Sequence, residues 1–264
     1  MLTEVKSHLK LMILSFKYNI QKEMTNRVSF IMQIVFMMLN NASFILQWII
    51  LFGIKKDIGG YGLNDVMVLW AISSAGYGIS HMFFYNAHKI SDLILNGKLD
   101  AFLVQPKNIL FNAVISSTKT SAIGDLIYGY IVMIIVKPDI VSILLFTVFA
   151  ITSGIIFTAF SVIMGSLSFW LKKGDMLTSN LEAIALNAST YPEGIFKGVI
   201  KAFLYIIVPT GFIVYVPVSV LLNFNIYLFL IVIAFTGFIT SFAFFIFNKG
   251  LKRYSSSNLV SARV

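Results

Sequence analysis

The sequence predicts an all-α integral membrane protein, a bundle of six transmembrane helices, and three observations carry the prediction. Residues 28–52 hold 25 positions without a charged side chain. At 1.5 Å per residue that run makes a helix of roughly 37 Å, enough to cross a hydrocarbon layer of about 30 Å with some tilt. The 264-residue chain is 58% hydrophobic and 12% charged, with a mean hydropathy of +0.87, where a soluble domain carries about 25% charged residues. Its basic residues also cluster between the apolar runs in a pattern that orients the bundle.

The elements follow in order. Residues 1–27 read as an amphipathic helix: Val5, Leu9, Met12, Phe16 and Ile20 recur at helical spacing, with Lys6, Lys10, Lys17 and Lys22 on the polar faces. A helix lying on the membrane and a solvated lead-in to the first span both fit that pattern. Span 1 is 28–52, closed by Lys55, Lys56, Asp57 and the turn Gly59-Gly60. Span 2 covers about 63–85, and a polar stretch, 86–108, follows. Span 3 covers about 113–136 and stops at Lys137-Pro138-Asp139. Span 4 runs from about 140 to Trp170 and is closed by Lys172-Lys173. The stretch 174–190 is weakly apolar and is broken by Tyr191-Pro192. Residues 194–222 are apolar but punctuated by Pro209, Gly211 and Pro217. The last span is 226–247, and the Ser-rich tail from Tyr254 is expected to be mobile.

With the N-terminus cytoplasmic, fourteen basic residues fall on the inner side. Lys55, Lys56 and Lys137 fall on the other. Both termini inside requires an even number of crossings, and six is the count that fits. Lys197 and Lys201 leave two layouts open. If 174–190 crosses as span 5, they lie outside, on a Pro-broken segment that dips back before span 6. If it stays cytoplasmic, 203–222 is span 5, which charge counting prefers. The whole chain forms one membrane domain, with no length left for a separate soluble catalytic domain. The charged first 27 residues and the long first apolar run argue against a cleavable signal peptide. A net charge of +9 would suggest nucleic acid in a soluble protein; here it is read as cytoplasmic loops facing anionic lipid, with no nucleic-acid partner. With no cysteine, disulfides and thiolate chemistry are excluded.

Missing motifs narrow the function. No G-x-x-x-x-G-K-[ST] occurs, so the chain has no P-loop of its own to cradle nucleotide phosphates. No metal-ligand spacing, nucleophile elbow or carboxylate pair is present, and neither a cofactor nor an enzymatic activity is expected. His81 and His88 are seven apart and share a face if the helix is continuous, but no carboxylate joins them at ligand spacing; interfacial histidines are the ordinary reading. Lys119 and Asp125 are the charges placed within a span, both in span 3, and form the candidate intramembrane polar site. An intramembrane charge costs about 2.5–3.5 kcal/mol on insertion scales. Lys119 can snorkel to the surface, whereas short Asp125 marks a partner contact, a polar pathway or a late start to the span. Ala71/Ala75, Ser74/Gly78 and Ser161/Gly165 repeat at four-residue spacing, which lets helix backbones approach closely within this chain or across a dimer.

Residues 86–108 read N-A-H-K-I-S-D-L-I-L-N-G-K-L-D-A-F-L-V-Q-P-K-N. Ile90, Leu93 and Ile94 form a short amphipathic helix that Asn96-Gly97 ends, a natural docking surface for a soluble partner. The pattern Leu95-x-Gly97, Leu99-Asp100, Phe102-Leu103, Pro106, Asn108 resembles the segment before the third membrane helix in ABC-2-type transporter permeases. Tyr191-Pro192, Pro209 and Tyr215-x-Pro217 are similar to that family's Y-P…P…Y-x-P arrangement before its last helix.

The resemblance implies an N-terminal interfacial helix, a coupling helix near 86–99 and a re-entrant pair before span 6, which favours the first layout. It implies a cell-membrane exporter subunit with cytoplasmic termini. Such a subunit pairs with a second permease copy or a sister permease, and a separate cytoplasmic P-loop ATPase hydrolyses the ATP. Ile90, Leu93, Ile94, Gly97, Leu99 and Asp100 are then the candidate docking residues. Two other classes stay open: a channel or ion-coupled carrier, for which Gln33, Asn40, Asn41 and Gln47 offer the main polar lining, and a non-transporting scaffold. The aromatic content suits a greasy pathway, though phenylalanine facing lipid accounts for it as well.

Overall fold

The structure, a computed structural model, describes residues 2–106, 108–172 and 174–255. Lys107, Lys173 and most of the Ser-rich tail lie outside the described residues, as does the side chain of Val5. Among the described residues the chain is all helical and carries no strand; a lone bridge pairs Ile58 with Tyr61. Four helices are long and apolar enough to cross a bilayer: α2 (Arg27–Ile54), α3 (Leu63–Phe83), α8 (Ile140–Ser166, continued by a 3-10 turn) and α12 (Ile226–Leu251). A fifth candidate exists if the bent pair α10 (Gly198–Ile206) and α11 (Val216–Leu222) counts as one span, although its halves meet at 78°. The remaining helices are α1 (Leu2–Glu23), α4 (Ile90–Leu95), α5 (Asp100–Leu103), α6 (Ile109–Ile115), α7 (Ala122–Val136) and α9 (Gly174–Ser189).

At the centre sits α3, buried along most of its length between α7 and α8. Its small residues make that possible. A methyl on Gly129 of α7 would lie 2.7 Å from the Ala71 carbonyl oxygen and 2.9 Å from Ala75 Cβ. One on Gly78 would lie 2.8 Å from the Leu126 backbone nitrogen. Without hydrophobic driving force in lipid, such close backbone approach is what holds helices together. The Ala71/Ala75 and Ser74/Gly78 stripes are thus used inside the chain, and Gly165 is used likewise, facing Ile90. By contrast α2 leaves one side uncovered, with Val28, Ile31, Val35, Phe36, Leu39, Leu46 and Ile50 exposed.

The bundle has two ends. At one, the turn around Gly59 meets Gly194 and Ile195, and Lys137 Nζ donates to the Leu221 carbonyl at 2.7 Å. At the other lie α1, the loop 84–108 and the last turn of α12. Here His8 packs on Phe111, Phe16 on Phe83, and Phe169 on Phe247 and Tyr254. The weakly apolar helix α9 joins the two ends: it starts against Ser168 and finishes with Tyr191 on Trp48. The bent pair α10–α11 instead begins and finishes at the Gly59 end. Between its halves Pro209 precedes a π-helical turn, Gly211–Tyr215, that reaches the middle of α8, where Ser153 donates to the Ile213 carbonyl. Proline lacks an N–H and cannot continue a helix, which is why the chain turns there.

Span 3 differs from its sequence reading. The run 113–136 is not one helix but α6 and α7 separated by 116–121, Ser-Ser-Thr-Lys-Thr-Ser. Hydroxyl side chains compete with the helix for backbone groups, and partners from elsewhere satisfy the break. Asn19 Nδ2 donates to the Ser116 carbonyl and to Thr118 Oγ1, both at 3.3 Å. Ser117 Oγ donates to Asn86 Oδ1 at 2.6 Å, and the Lys119 N–H donates to the His81 carbonyl at 3.0 Å. Lys119 therefore lies in the break, and Asp125 on α7 rather than on one helix with it.

Candidate functional site

Two places bring chemistry-bearing residues together. The first is the loop between α3 and α6. After α3 a 3-10 segment, Tyr85–Lys89, leads into α4. Asn96 and Gly97 end α4; Gly97 takes φ +67°, a conformation glycine adopts without steric penalty. The chain then folds back so that the Leu99 N–H donates to the Leu93 carbonyl at 3.2 Å. Of the sequence-assigned docking residues, Ile90 and Leu99 are fully buried, and Leu93 and Ile94 are buried as well. They face this chain's own core, with Ile90 seated on Gly165 of α8. Their burial makes these four anchors of the loop. Gly97 sits at the turn. Asp100 accepts from the Tyr254 hydroxyl at 2.9 Å, tying the loop to the end of α12.

What the loop presents outward is different. Leu95, Leu103 and Val104 are exposed, Val104 at 85%, beside Asn96 and Lys98. Lys98 Nζ lies 2.8 Å from Asp92 Oδ2, which with the Asn96 amide holds the Asp92 carboxyl below its usual range. Burial, then the hydrogen bond it donates to Asp100, pushes the Tyr254 phenol up to about 12.

The loop is also fastened to α8 and α9 by a polar cluster whose members sequence spacing could not assemble. His88 Nε2 lies 2.9 Å from Ser80 Oγ, and its Nδ1 lies 2.9 Å from Ser161 Oγ and 3.1 Å from Glu182 Oε1. Ser80 Oγ also meets Thr158 Oγ1 at 2.7 Å. His81 stacks between Tyr77 and His88, with ring centroids 3.7 and 3.9 Å apart. Glu182, on α9, is the carboxylate that the pair lacked by spacing. Among the described residues no group of three or more His, Cys, Asp or Glu is arranged to hold a metal.

The second place is a cavity of about 300 Å³ bounded by α2, α3, α7 and the far end of α9. Asp125 lines it, buried, accepting a 2.6 Å hydrogen bond from Asn41 Nδ2 of α2. Lys119 does not line it; its ammonium lies 3.2 Å from the Tyr77 hydroxyl. The two charged residues of the candidate intramembrane site are thus not bonded to each other, Tyr77 lying between the cavity and Lys119, although the Lys119 charge still acts on Asp125. Of the polar residues offered by span 1, Asn40 and Asn41 line the cavity, whereas Gln33 and Gln47 are exposed away from it.

Long apolar helices around a close-packed α3 define a multi-pass membrane protein. Residues 19–258 match the family model described as ABC-2 family transporter protein, and the chain belongs to that family. Membership supports a membrane component of an ABC transporter; in this family that component is generally non-catalytic and typically works with a cytoplasmic ATPase subunit. No curated protein and no solved structure matches the chain.

Proposed function

We propose that this chain is the permease subunit of an ATP-driven exporter, residing in the cell membrane as a pair with a second copy or a sister permease. The match of the transporter family over residues 19–258 carries the reading. Six crossings are α2, α3, the broken α6–α7, α8, α9 and α12. Both termini and the 84–108 loop lie in the cytoplasm, α1 lies along the inner interface, and α10–α11 is a re-entrant pair on the outer side. The path of α9 from the loop end to the Gly59 end supports its crossing, against the count of Lys197 and Lys201, while the basic residues at the loop end support that end as cytoplasmic.

A cytoplasmic P-loop ATPase docks on the outward face of the 84–108 loop, at Leu95, Leu103 and Val104. Motion of the docked loop passes into the bundle through two fixed joints, Ile90 on Gly165 of α8 and His88 on Glu182 of α9. Because α9 also walls the cavity, a shift at the loop changes its shape, which is what alternating access requires of a permease.

Affinity purification in mild detergent tests this. Wild-type chain should bring down a P-loop ATPase in stoichiometric amount. The double change Leu95→Asp and Val104→Asp should lose that ATPase while the chain still elutes as a single species. Wild-type chain recovered without any ATPase in several detergents would overturn the proposal.

A further inference from the structure

The cavity between α2, α3, α7 and α9 has a chemistry of its own. Five of its fifteen lining residues are aromatic, Phe44, Trp48, Trp70, Tyr77 and Tyr191: Phe44 stacks on Trp70 with centroids 5.1 Å apart, and Trp48 meets Tyr191 edge-on at 5.8 Å. One charged side chain lies in that wall, Asp125, at 4% exposure. Asn41 satisfies its Oδ1, but its Oδ2 has no hydrogen-bond partner. Among the described residues no lysine or arginine lines the cavity; Lys119, behind Tyr77, acts on Asp125 through its charge without bonding to it. A buried carboxylate oxygen left without a donor is costly, and a carboxylate within the membrane is costlier still unless something positive meets it. Aromatic faces attract cations by their quadrupole, and a ring-walled pocket is the usual receptor for a quaternary ammonium.

We infer that the cavity is a binding site for an amphipathic organic cation, an ammonium group carrying an apolar substituent. The ammonium sits near Asp125, and the substituent lies on the rings of Phe44, Trp48 and Trp70. Metal cations fit poorly, since the wall offers a single carboxylate and, among the described residues, no group of three or more His, Cys, Asp or Glu is arranged to hold a metal. As a statement about transported substrate the inference rests on the permease reading; as a statement about binding it needs the chain alone.

The chain has three tryptophans, and Trp48 and Trp70 both line the cavity. A Trp170→Phe chain therefore reports on the site through its own fluorescence. Titration of this chain in detergent with benzyltrimethylammonium should give a saturable change. Phenylmethanesulfonate, of similar shape and opposite charge, should give none. Adding Asp125→Asn, which keeps the shape and the acceptor for Asn41, should weaken cation binding by at least about tenfold. The inference is overturned if the sulfonate binds as well as the ammonium, if Asp125→Asn binds like its parent, or if the cation shows no saturable effect. Should Asp125→Asn fail to elute as a single species, the cation–anion comparison on the Trp170→Phe chain decides. Absence of cation binding with the ATPase still recovered sinks this inference alone; cation binding without any ATPase sinks the permease reading alone.

Discussion

Gly129→Ala should destabilise the bundle, and Gly237→Ala, the same chemical change on α12, should not. A methyl at Gly129 would lie 2.7 Å from Ala71 O, 2.9 Å from Ala75 Cβ and 3.1 Å from Ser74 Oγ, where ordinary contact begins at 3.4 Å. Two of those three atoms belong to the backbone and first side-chain carbon of α3, so relief requires moving one helix relative to the other. Since α3 is also packed against α8, that movement disturbs a second interface. Overpacking of this kind costs about 1–3 kcal/mol, offset by about 0.5–1 kcal/mol from replacing a helical glycine. The net loss is about 0–2.5 kcal/mol, centred near 1, and at about 2–4 °C per kcal/mol the melting temperature falls by up to about 10 °C. A methyl at Gly237 meets nothing within 4 Å, leaving only the gain of about 0.5–1 kcal/mol. Thermal melts followed by tryptophan fluorescence in one detergent compare the two. A Gly129→Ala chain that melts above wild type would refute close α3–α7 packing as the basis of the core.

Asn41→Ala removes the one hydrogen bond that the Asp125 carboxylate accepts among the described residues and should cost about 1–3 kcal/mol in the same melt. Because the chain has no cysteine, single cysteines report topology against a clean background. Lys197→Cys should react with a membrane-impermeant maleimide from outside intact cells, and Asp175→Cys should react only after lysis. The Tyr254 phenol, raised to about 12 by burial and then by Asp100, is raised above its unfolded value. Its stabilising contact is therefore complete below about pH 10 and is lost as pH rises through about 12. An ultraviolet titration should lose one late-ionising tyrosine in Tyr254→Phe, and amide exchange over 100–103 should rise in that variant. Glu182→Ala, which frees His88 from α9, should speed exchange over 174–182 without altering that of α12.

Long apolar runs made α2, α3, α8 and α12 legible from composition alone, because charge-free runs of that length have few uses outside a bilayer. Helix α9 was not legible in that way. Its buried face includes Thr178, Ser189 and Ala185, and Ser189 is matched by Ser73 at 2.6 Å, so its fit depends on partners distant in sequence. Span 3 looked continuous because hydropathy averages across Ser116–Ser117; the bonds from Asn19, Asn86 and His81 that favour a break come from other elements. The loop was found by its motif, whereas which of its apolar residues are buried and which exposed came only with packing. Apolar spacing identifies a face that will be buried, not whether this chain or a partner buries it. Asp125 stood out as a charge in a span, while Asn41 and the aromatic wall around it became a site only through tertiary packing.

The most direct test of the account is a cross-link from the outward face of the loop. In the cysteine-free chain, Val104→Cys, at a position 85% exposed at the loop end, is compared with Tyr227→Cys, at one 75% exposed at the start of α12. After cross-linking in native membranes with a short bifunctional reagent, the Val104→Cys chain should be joined to a P-loop ATPase and the Tyr227→Cys chain should not. An ATPase joined equally at both positions, or at neither, would contradict the assignment of this loop as the place where ATP hydrolysis reaches the membrane.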